Sequence, residues 1–347
     1  MPKQRGKQTV ALASPVAVAS SACAAGKKEG LGPLRHSIDS IYENSLQGMK
    51  SWEQAESAMQ RDALNLALSK GNFPETSIQY LLAGDLLGQC IGSVFAARDC
   101  EIPFIGLYGA CSTMAESLGL GSMLIDGGFA DRVAVVTSSH FCGSERQFRL
   151  PLEYGGQRTP TAQWTVTGAG AAVLERSAVS GNPNHPRISH VTFGKVTDMG
   201  IKDVTNMGAA MAPAAFSTLT AHFEDCKLAP EDYDLIVTGD LGSVGSDILR
   251  DLFMKKGVSL GERYTDCGLL IFNRDDADAG AGGSGCGCSA VALCGYILSG
   301  MRENKWRRVL FCGTGALFSP VSAQQGESIP SVCHAVRLIG GNGSCNT

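Results

Sequence analysis

The chain has 347 residues, 44% of them hydrophobic and 18% charged, with 43 glycines and a formal net charge of −4. That composition excludes the disordered and fibrous classes. The small acidic balance, with no lysine run interleaved with aromatics, gives no basis for nucleic-acid binding. Thirteen cysteines are scattered, mostly in apolar runs such as those around Cys90, Cys142, Cys294, Cys312 and Cys333. This fits free thiols in a reducing compartment better than a disulfide framework. At the N-terminus, a basic start followed by small, mildly apolar residues 10–25 has the outline of a secretory signal. Pro15 and several serines interrupt that run, so residues 9–18 are predicted as a first strand and the chain as cytoplasmic. No stretch approaches the ~20 apolar residues of a membrane-spanning helix.

Further along, the mixed-charge segment 36–50 predicts a solvated helix. Trp52, Ala55, Met59, Leu64 and Leu68 have helical apolar spacing, and Lys70-Gly-Asn is a helix stop. A strand at 80–83, a helix at 88–99 and a strand at 104–107 follow. The turn at 109–111 opens a helix to about residue 126, and a strand covers 133–137. Segment 138–163 is polar and rich in aromatics and arginine, and too long for a plain connector, so a lid or binding loop is expected. Residues 165–174 read as a strand with a glycine break. Ser, Gly, Asn and Pro in 177–186 mark a junction, giving halves at 1–178 and 179–347.

The two halves share a pattern. Gly84-Asp85-Leu86 and Gly239-Asp240-Leu241 each end an apolar run. A small-residue turn carrying Cys-Ser follows each, at Gly109-Ala-Cys111-Ser and at Gly285-Cys-Gly-Cys288-Ser. Then comes a helix-like stretch and an arginine-led strand, Arg132-Val-Ala-Val-Val or Arg308-Val-Leu-Phe-Cys. This repetition predicts an internal duplication of one α/β unit, with corresponding loops gathered around a pseudo-two-fold axis. Cys111 and Cys288 are expected to open equivalent buried helices. At a helix N-terminus, backbone N–H groups and the dipole lower a thiol pKa, and small neighbours let amides face a developing oxyanion. A structural Cys fits the local sequence equally well.

The order Gly-Ala-Cys111-Ser, then Thr137-Ser-Ser, then Thr-Gly168-Ala-Gly170-Ala-Ala-Val-Leu resembles the thiolase and ketoacyl-synthase superfamily. That resemblance implies a duplicated five-layer αβαβα fold. The match is closer to the stage V sporulation protein AD family. It is carried by Ala83-Gly-Asp85-Leu-Leu, Ser138-Ser-His140, Glu145-Arg-Gln-Phe-Arg149, Glu153-Tyr-Gly-Gly-Gln157, Met211-Ala-Pro-Ala-Ala, Asp266-Cys-Gly-Leu, Gly282-Gly-Ser284-Gly-Cys and Glu327-Ser-Ile-Pro. The resemblance implies binding of dipicolinic acid (pyridine-2,6-dicarboxylic acid), with calcium possible alongside it. It also implies help in loading the acid into the forming spore, with other subunits of a dipicolinate-transport membrane complex at the spore inner membrane. A homodimer is expected by the same analogy, through strand 133–137 or its neighbour.

The departures from the enzymes matter as much. A condensing enzyme of this superfamily needs a His after the first strand of its second half, and a His or Asn in the glycine-rich loop. Here those positions fall at Gly239-Asp240-Leu241 and Gly282 to Cys288, with neither. A thiolate without acid–base partners can be acylated but lacks the means for carbon–carbon bond formation. A binder with Cys111 as a vestigial nucleophile is therefore expected. The alternative is an acyltransferase using Cys111 with acyl-CoA or an acyl-carrier thioester.

The expected ligand-binding set is Asp85, Cys111, His140, Arg146, Arg149, Glu153, Gln157, Asp240 and Ser284. His140 is either a ligand contact or a hydrogen-bonded edge histidine. Arg146 and Arg149 can share one side of a helical turn and suit two carboxylates, or form a solvated or salt-bridged helix face with Glu145 and Glu153. Asp85 and Asp240 are either caps or turn residues, or ligands for an accompanying calcium ion. His334 reads as a core or edge histidine of the last strand. The glycines at 282–287 lack the Lys-Ser/Thr ending of a phosphate loop.

Overall fold

The computed structural model describes residues 3–148, 158–273, 276–317 and 319–341. The first half runs β1 (Gln4–Arg5), β2 (Thr9–Gly26), β3 (Ser40–Tyr42), α1 (Trp52–Gly71), β4 (Tyr80–Gly84), α2 (Ile91–Ala97) and β5 (Phe104–Gly106). It continues with α3 (Thr113–Asp126), β6 (Arg132–Ser139), α4 (Phe141–Phe148), β7 (Trp164–Thr165) and β8 (Gly168–Arg176). The second half runs β9 (Arg187–Phe193), α5 (Met207–Cys226), β10 (Leu235–Thr238), α6 (Gly242–Lys255), β11 (Tyr264–Asp266), α7 (Cys267–Ile271) and β12 (Gly283–Ser284). It ends with α8 (Cys286–Val291), α9 (Leu298–Arg302), β13 (Arg308–Ala316), α10 (Pro320–Gln324) and β14 (Ser331–Ile339). A π-helical turn, Ala292–Ile297, joins α8 to α9 in one continuous rod.

The strand order is β11-β10-β13-β14-β9-β2-β8-β6-β4-β5. Read outward from the central β9–β2 pair, the two halves match strand for strand: β2 with β9, β8 with β14, β6 with β13, β4 with β10 and β5 with β11. Asp85 and Asp240 therefore follow equivalent strands, as the duplicated motif requires. Helix α3 packs on β6 and β8 of its own half and on β13 and β14 of the other, while α8 lies against β8 and β6. These rods form the middle layer. Helix α1 covers the outside of the first half-sheet and α5 that of the second, which completes five layers, αβαβα.

Close approach of the rods to the sheets explains the small residues. A Cβ on Gly170 of β8 would lie 2.4 Å from the Ala290 carbonyl oxygen in α8, so only glycine admits the helix there. The signal-like N-terminal run is the central strand: Ala22, Cys23, Ala24 and Ala25 are fully buried where β2 pairs with β8 on one side and reaches β3 on the other. It extends to Gly26, well past the expected end, because flanking strands on both sides satisfy its backbone. Pro15, which has no N–H to donate, falls where the β2–β9 register shifts between Ala11 and Val16.

Segment 36–50 is not a helix. Its Ser40–Tyr42 stretch pairs in parallel with β2, and Asp39 accepts the Cys23 backbone N–H at 2.9 Å. Strand β6 lies inside the sheet between β4 and β8, so β5, its neighbour across β4, is the outer edge of the first half. No helix among the described residues is long and apolar enough to cross a membrane.

Candidate functional site

Cys111 lies in a single 3-10 turn, Ala110–Ser112, that leads into α3. Ala110 adopts a left-handed backbone, φ +49°, which costs a residue with a Cβ about 1–3 kcal/mol. Hydrogen bonds hold it there. The Ala110 carbonyl accepts from Thr113 Oγ1 at 2.6 Å and from Cys286 Sγ at 2.9 Å, and Ser112 Oγ donates to the Gly109 carbonyl at 2.6 Å. The turn thus fixes Cys111 at the junction of the two halves.

Asp240 meets it from the other half. The carboxylate accepts from Thr314 Oγ1 at 2.7 Å, from the Gly285 backbone N–H at 2.9 Å and from Ser284 Oγ at 3.2 Å. Gln163 Nε2 donates to the Asp240 carbonyl at 2.8 Å and to that of Gly283 at 2.9 Å, tying the segment before β7 to the glycine loop. Gly285 needs its φ of +98° to aim its N–H at Asp240. The Cys111 thiol faces this carboxyl group.

This contact reverses the expected electrostatics of Cys111. Burial, then the charge of Asp240, then the neighbouring Cys286 hold the thiol well above its ordinary pKa. The helix terminus would favour a thiolate, but the thiol is buried against a fixed carboxylate, and desolvation and like charge win. Asp240 is itself pushed up by burial, against the hydrogen bonds from Gly285, Thr314 and Ser284 and the neighbouring Cys111 thiol.

The counterpart of Cys111 differs from expectation. Helix α8 opens at Cys286, whose sulfur reaches the Cys111 turn, while Cys288 lies two residues inside the helix in the apolar core. Both are visible in Gly285-Cys-Gly-Cys288, but spacing alone does not choose between them.

Asp85 is a turn-closing residue. Its oxygens accept from the Leu87 N–H at 2.8 Å and from the Ser93 N–H and Oγ, each at 2.7 Å. Beside it, fully buried Glu56 accepts from Ser138 Oγ at 2.9 Å, and its other oxygen has no partner. Burial and then Asp85 raise the Glu56 carboxyl well above its usual range. The duplicated aspartates have thus diverged. Asp266, the N-cap of α7, accepts the Leu241, Gly242 and Gly268 N–H groups at 2.8, 2.9 and 2.9 Å, and this leaves Asp240 for Cys111. The described residues contain no group of three or more His, Cys, Asp or Glu side chains placed to hold a metal ion.

A cavity of about 530 Å³ lies over Cys111, walled by Asp85, Tyr108, Glu145, Thr165, Met207 and Ser284 among others. No arginine, lysine or histidine lines it among the described residues. His140 is buried outside this wall, its Nε2 bonded to the Ser45 carbonyl at 2.8 Å, and burial lowers its pKa. Arg146 turns away, pairing with Glu53 and lying over Trp52 with its guanidinium 5.2 Å from the ring centre. Arg149, Glu153 and Gln157 lie outside the described residues. His334 is an edge-on neighbour of Phe193 in the sheet.

Glu145, expected from the sequence only on a solvated or salt-bridged helix face, lines the cavity and accepts from Thr165 Oγ1 at 3.0 Å. Near it, Phe141 stacks on Trp164 with centroids 3.8 Å apart, and Arg158 lies over both rings. The stack joins the start of α4 to β7.

The fold matches crystal structures of Xanthomonas campestris OleA variants and complexes. One variant gives a TM-score of 0.59 at 14% identity, covering 94% of this chain and 98% of that one. A cerulenin-bound form gives 0.59 at 13% identity, covering 97% and 98%. At that identity the likeness establishes the thiolase fold alone. Sequence comparison reaches further: the chain is 47% identical over 334 residues to stage V sporulation protein AD of Bacillus subtilis (strain 168), covering 96% of this chain and 97% of that protein. The family model for stage V sporulation protein AD matches residues 6–339, and the chain belongs to that family.

Proposed function

We propose that this sporulation-family protein binds dipicolinate in the cavity over Cys111 and assists its uptake into the forming spore as part of a membrane complex. The observation that carries this reading is the Cys111–Asp240 contact. In an acyl-transferring member of the fold, the group meeting the nucleophile must favour thiolate or take up a proton. Here it is a buried acid that keeps the thiol protonated, so the cavity is suited to holding a ligand and poorly suited to accepting an acyl group.

The walls favour a particular form of the ligand. Bare dipicolinate carries two negative charges, and the described lining offers the carboxyl groups of Asp85 and Glu145 with no cationic side chain. The calcium chelate is neutral overall and avoids setting a dianion against those acids. Arg149, outside the described residues, is the cation nearest in sequence to this wall that can still contribute.

The same reading includes a homodimer and docking to other subunits of the dipicolinate-transport complex, with peripheral association at the spore inner membrane from the cytoplasmic side. The edge strand β5 supports the homodimer. It ends the sheet with Phe104 36% and Ile105 38% exposed, and nearby Tyr108, 65% exposed, also lines the cavity. An unpaired apolar edge is a template for another strand.

Calorimetric titration with dipicolinate, with and without equimolar calcium, tests the reading. Saturable binding that is tighter with calcium supports it. Absence of binding under both conditions overturns it.

A further inference from the structure

Far from the cavity, the outer face of the second half-sheet carries a buried arginine with no acid paired to it among the described residues. Arg337 of β14 stands opposite His190 of β9 and Leu310 of β13, and it is only 6% exposed. Its Nη1 donates to His190 Nδ1 at 3.4 Å, while its Nε is buried without a partner among the described residues. No carboxylate among the described residues forms a salt bridge with it.

The surroundings add positive charge. β1 sets Arg5 opposite Thr9, and Thr9 stands opposite Thr192, one row along the same face from the His190–Arg337 row. Burial and then the charges of Arg337 and Arg5 lower His190 to about 4, so the neutral ring accepts from Arg337. The acid in the last turn of α5, Asp225, is turned to the backbone N–H groups of Lys7, Gln8 and Thr9 at 3.1, 3.0 and 3.1 Å. The neighbouring Thr192–His222–Tyr233 chain is satisfied internally, with both contacts at 2.7 Å.

A guanidinium taken out of water without a counter-ion is strongly unfavourable. The planar fork of arginine matches an oxyanion through two parallel N–H groups. We propose that Arg337, with Arg5 at the mouth and His190 alongside, forms a second site that takes a free oxyanion, phosphate or carboxylate, on the unpartnered Nε side of the guanidinium. The site lies where β1 of the first half meets β9 and β14 of the second, and it is separate from the cavity over Cys111.

Thermal unfolding of the full chain tests this, titrating sodium phosphate in one arm and sodium acetate in another, each against sodium chloride at equal ionic strength. Tm rises saturably with phosphate or acetate and not with chloride, and the responding arm identifies the oxyanion. Arg5→Gln, at an exposed position, weakens the apparent affinity by about tenfold and leaves dipicolinate binding unchanged. Arg337→Met abolishes the oxyanion response and is at least as stable as the parent in chloride, because it removes an unpaired buried charge. A parent Tm that responds equally to all three salts overturns the proposal. So does an oxyanion response that survives Arg5→Gln undiminished, a measurement that stands even if Arg337→Met does not fold.

Discussion

The thiol of Cys111, in the turn before α3, faces the carboxyl group of Asp240, just beyond β10, and that group is pinned by Thr314 and Gly285 from two other segments. Asp240 thus sets a fixed, buried carboxyl group, its own pKa raised by burial, against the turn that carries Cys111. Burial and Asp240 both raise the thiol pKa, so alkylation of Cys111 by iodoacetamide is expected to be slow at pH 8. Asp240→Asn removes the charge and lowers the thiol pKa, and a tenfold gain in acidity gives about tenfold more thiolate at that pH. Rate constants measured against pH for the two proteins, with Cys111→Ala to identify the reacting site, check this. Equal rates would show that Asp240 does not control the thiol.

The same geometry predicts no condensing turnover. After incubation with short acyl-CoAs the intact mass stays that of the unmodified chain, because the thiol is held protonated against Asp240. An acyl adduct that disappears in Cys111→Ala would favour the acyltransferase alternative.

The duplication is legible in the sequence because its markers are local: Gly-Asp-Leu closing a strand, then Cys-Ser opening a helix. The partners of Asp240 are not, because Thr314 and Ser284 come from segments 74 and 44 residues away, and no spacing rule joins them. Strand β2 runs longer than its sequence suggests because alanine and serine carry a weak apolar signal, although burial between two strands suits small side chains. The spacing of Arg146 and Arg149 suggests a shared ligand-facing side, but Glu53 and Trp52 of α1 compete for Arg146. A helical repeat alone does not reveal a partner on another helix.

Because Arg146 is half-exposed and engaged on α1, Arg146→Ala is expected to change dipicolinate affinity by less than about twofold, as for an exposed ion pair. Cys111→Trp fills the cavity floor and is expected to abolish binding. Calorimetric titration of both separates them. A large loss in Arg146→Ala would return that guanidinium to the ligand.

Glu29 links stability to pH. It is buried, its Oε1 accepts the Thr167 N–H at 3.0 Å, and burial is the largest cause raising its carboxyl from 4.5 to about 7. A raised carboxyl binds its proton more tightly in the folded chain. Its contribution is therefore full below pH 4.5 and is lost as pH rises toward 7. Glu29→Gln keeps the acceptor and cannot ionise. Relative to the parent, its stability should climb through that window, by up to about 3 kcal/mol. Urea unfolding at pH 4.5 and pH 8 reads the difference, and a pH-independent gap would mean that Glu29 is not buried as a neutral acid.

The β5 edge gives the last prediction. Among the described residues its backbone is unpaired on the outer side, and Phe104 and Ile105 expose apolar surface beside Val94 and Phe95 of α2, 38% and 39% exposed. A charge at Ile105 would be desolvated if a second copy added its own β5 there, yet it would sit harmlessly in water on a monomer. Ile105→Asp is therefore expected to convert a dimer to a monomer by light scattering at micromolar concentration, with unfolding of the isolated chain little changed. Tyr108, two residues beyond β5, also lines the cavity, so loss of the dimer should weaken dipicolinate binding as well. A parent that is already monomeric, or a variant that stays dimeric, would place the contact elsewhere.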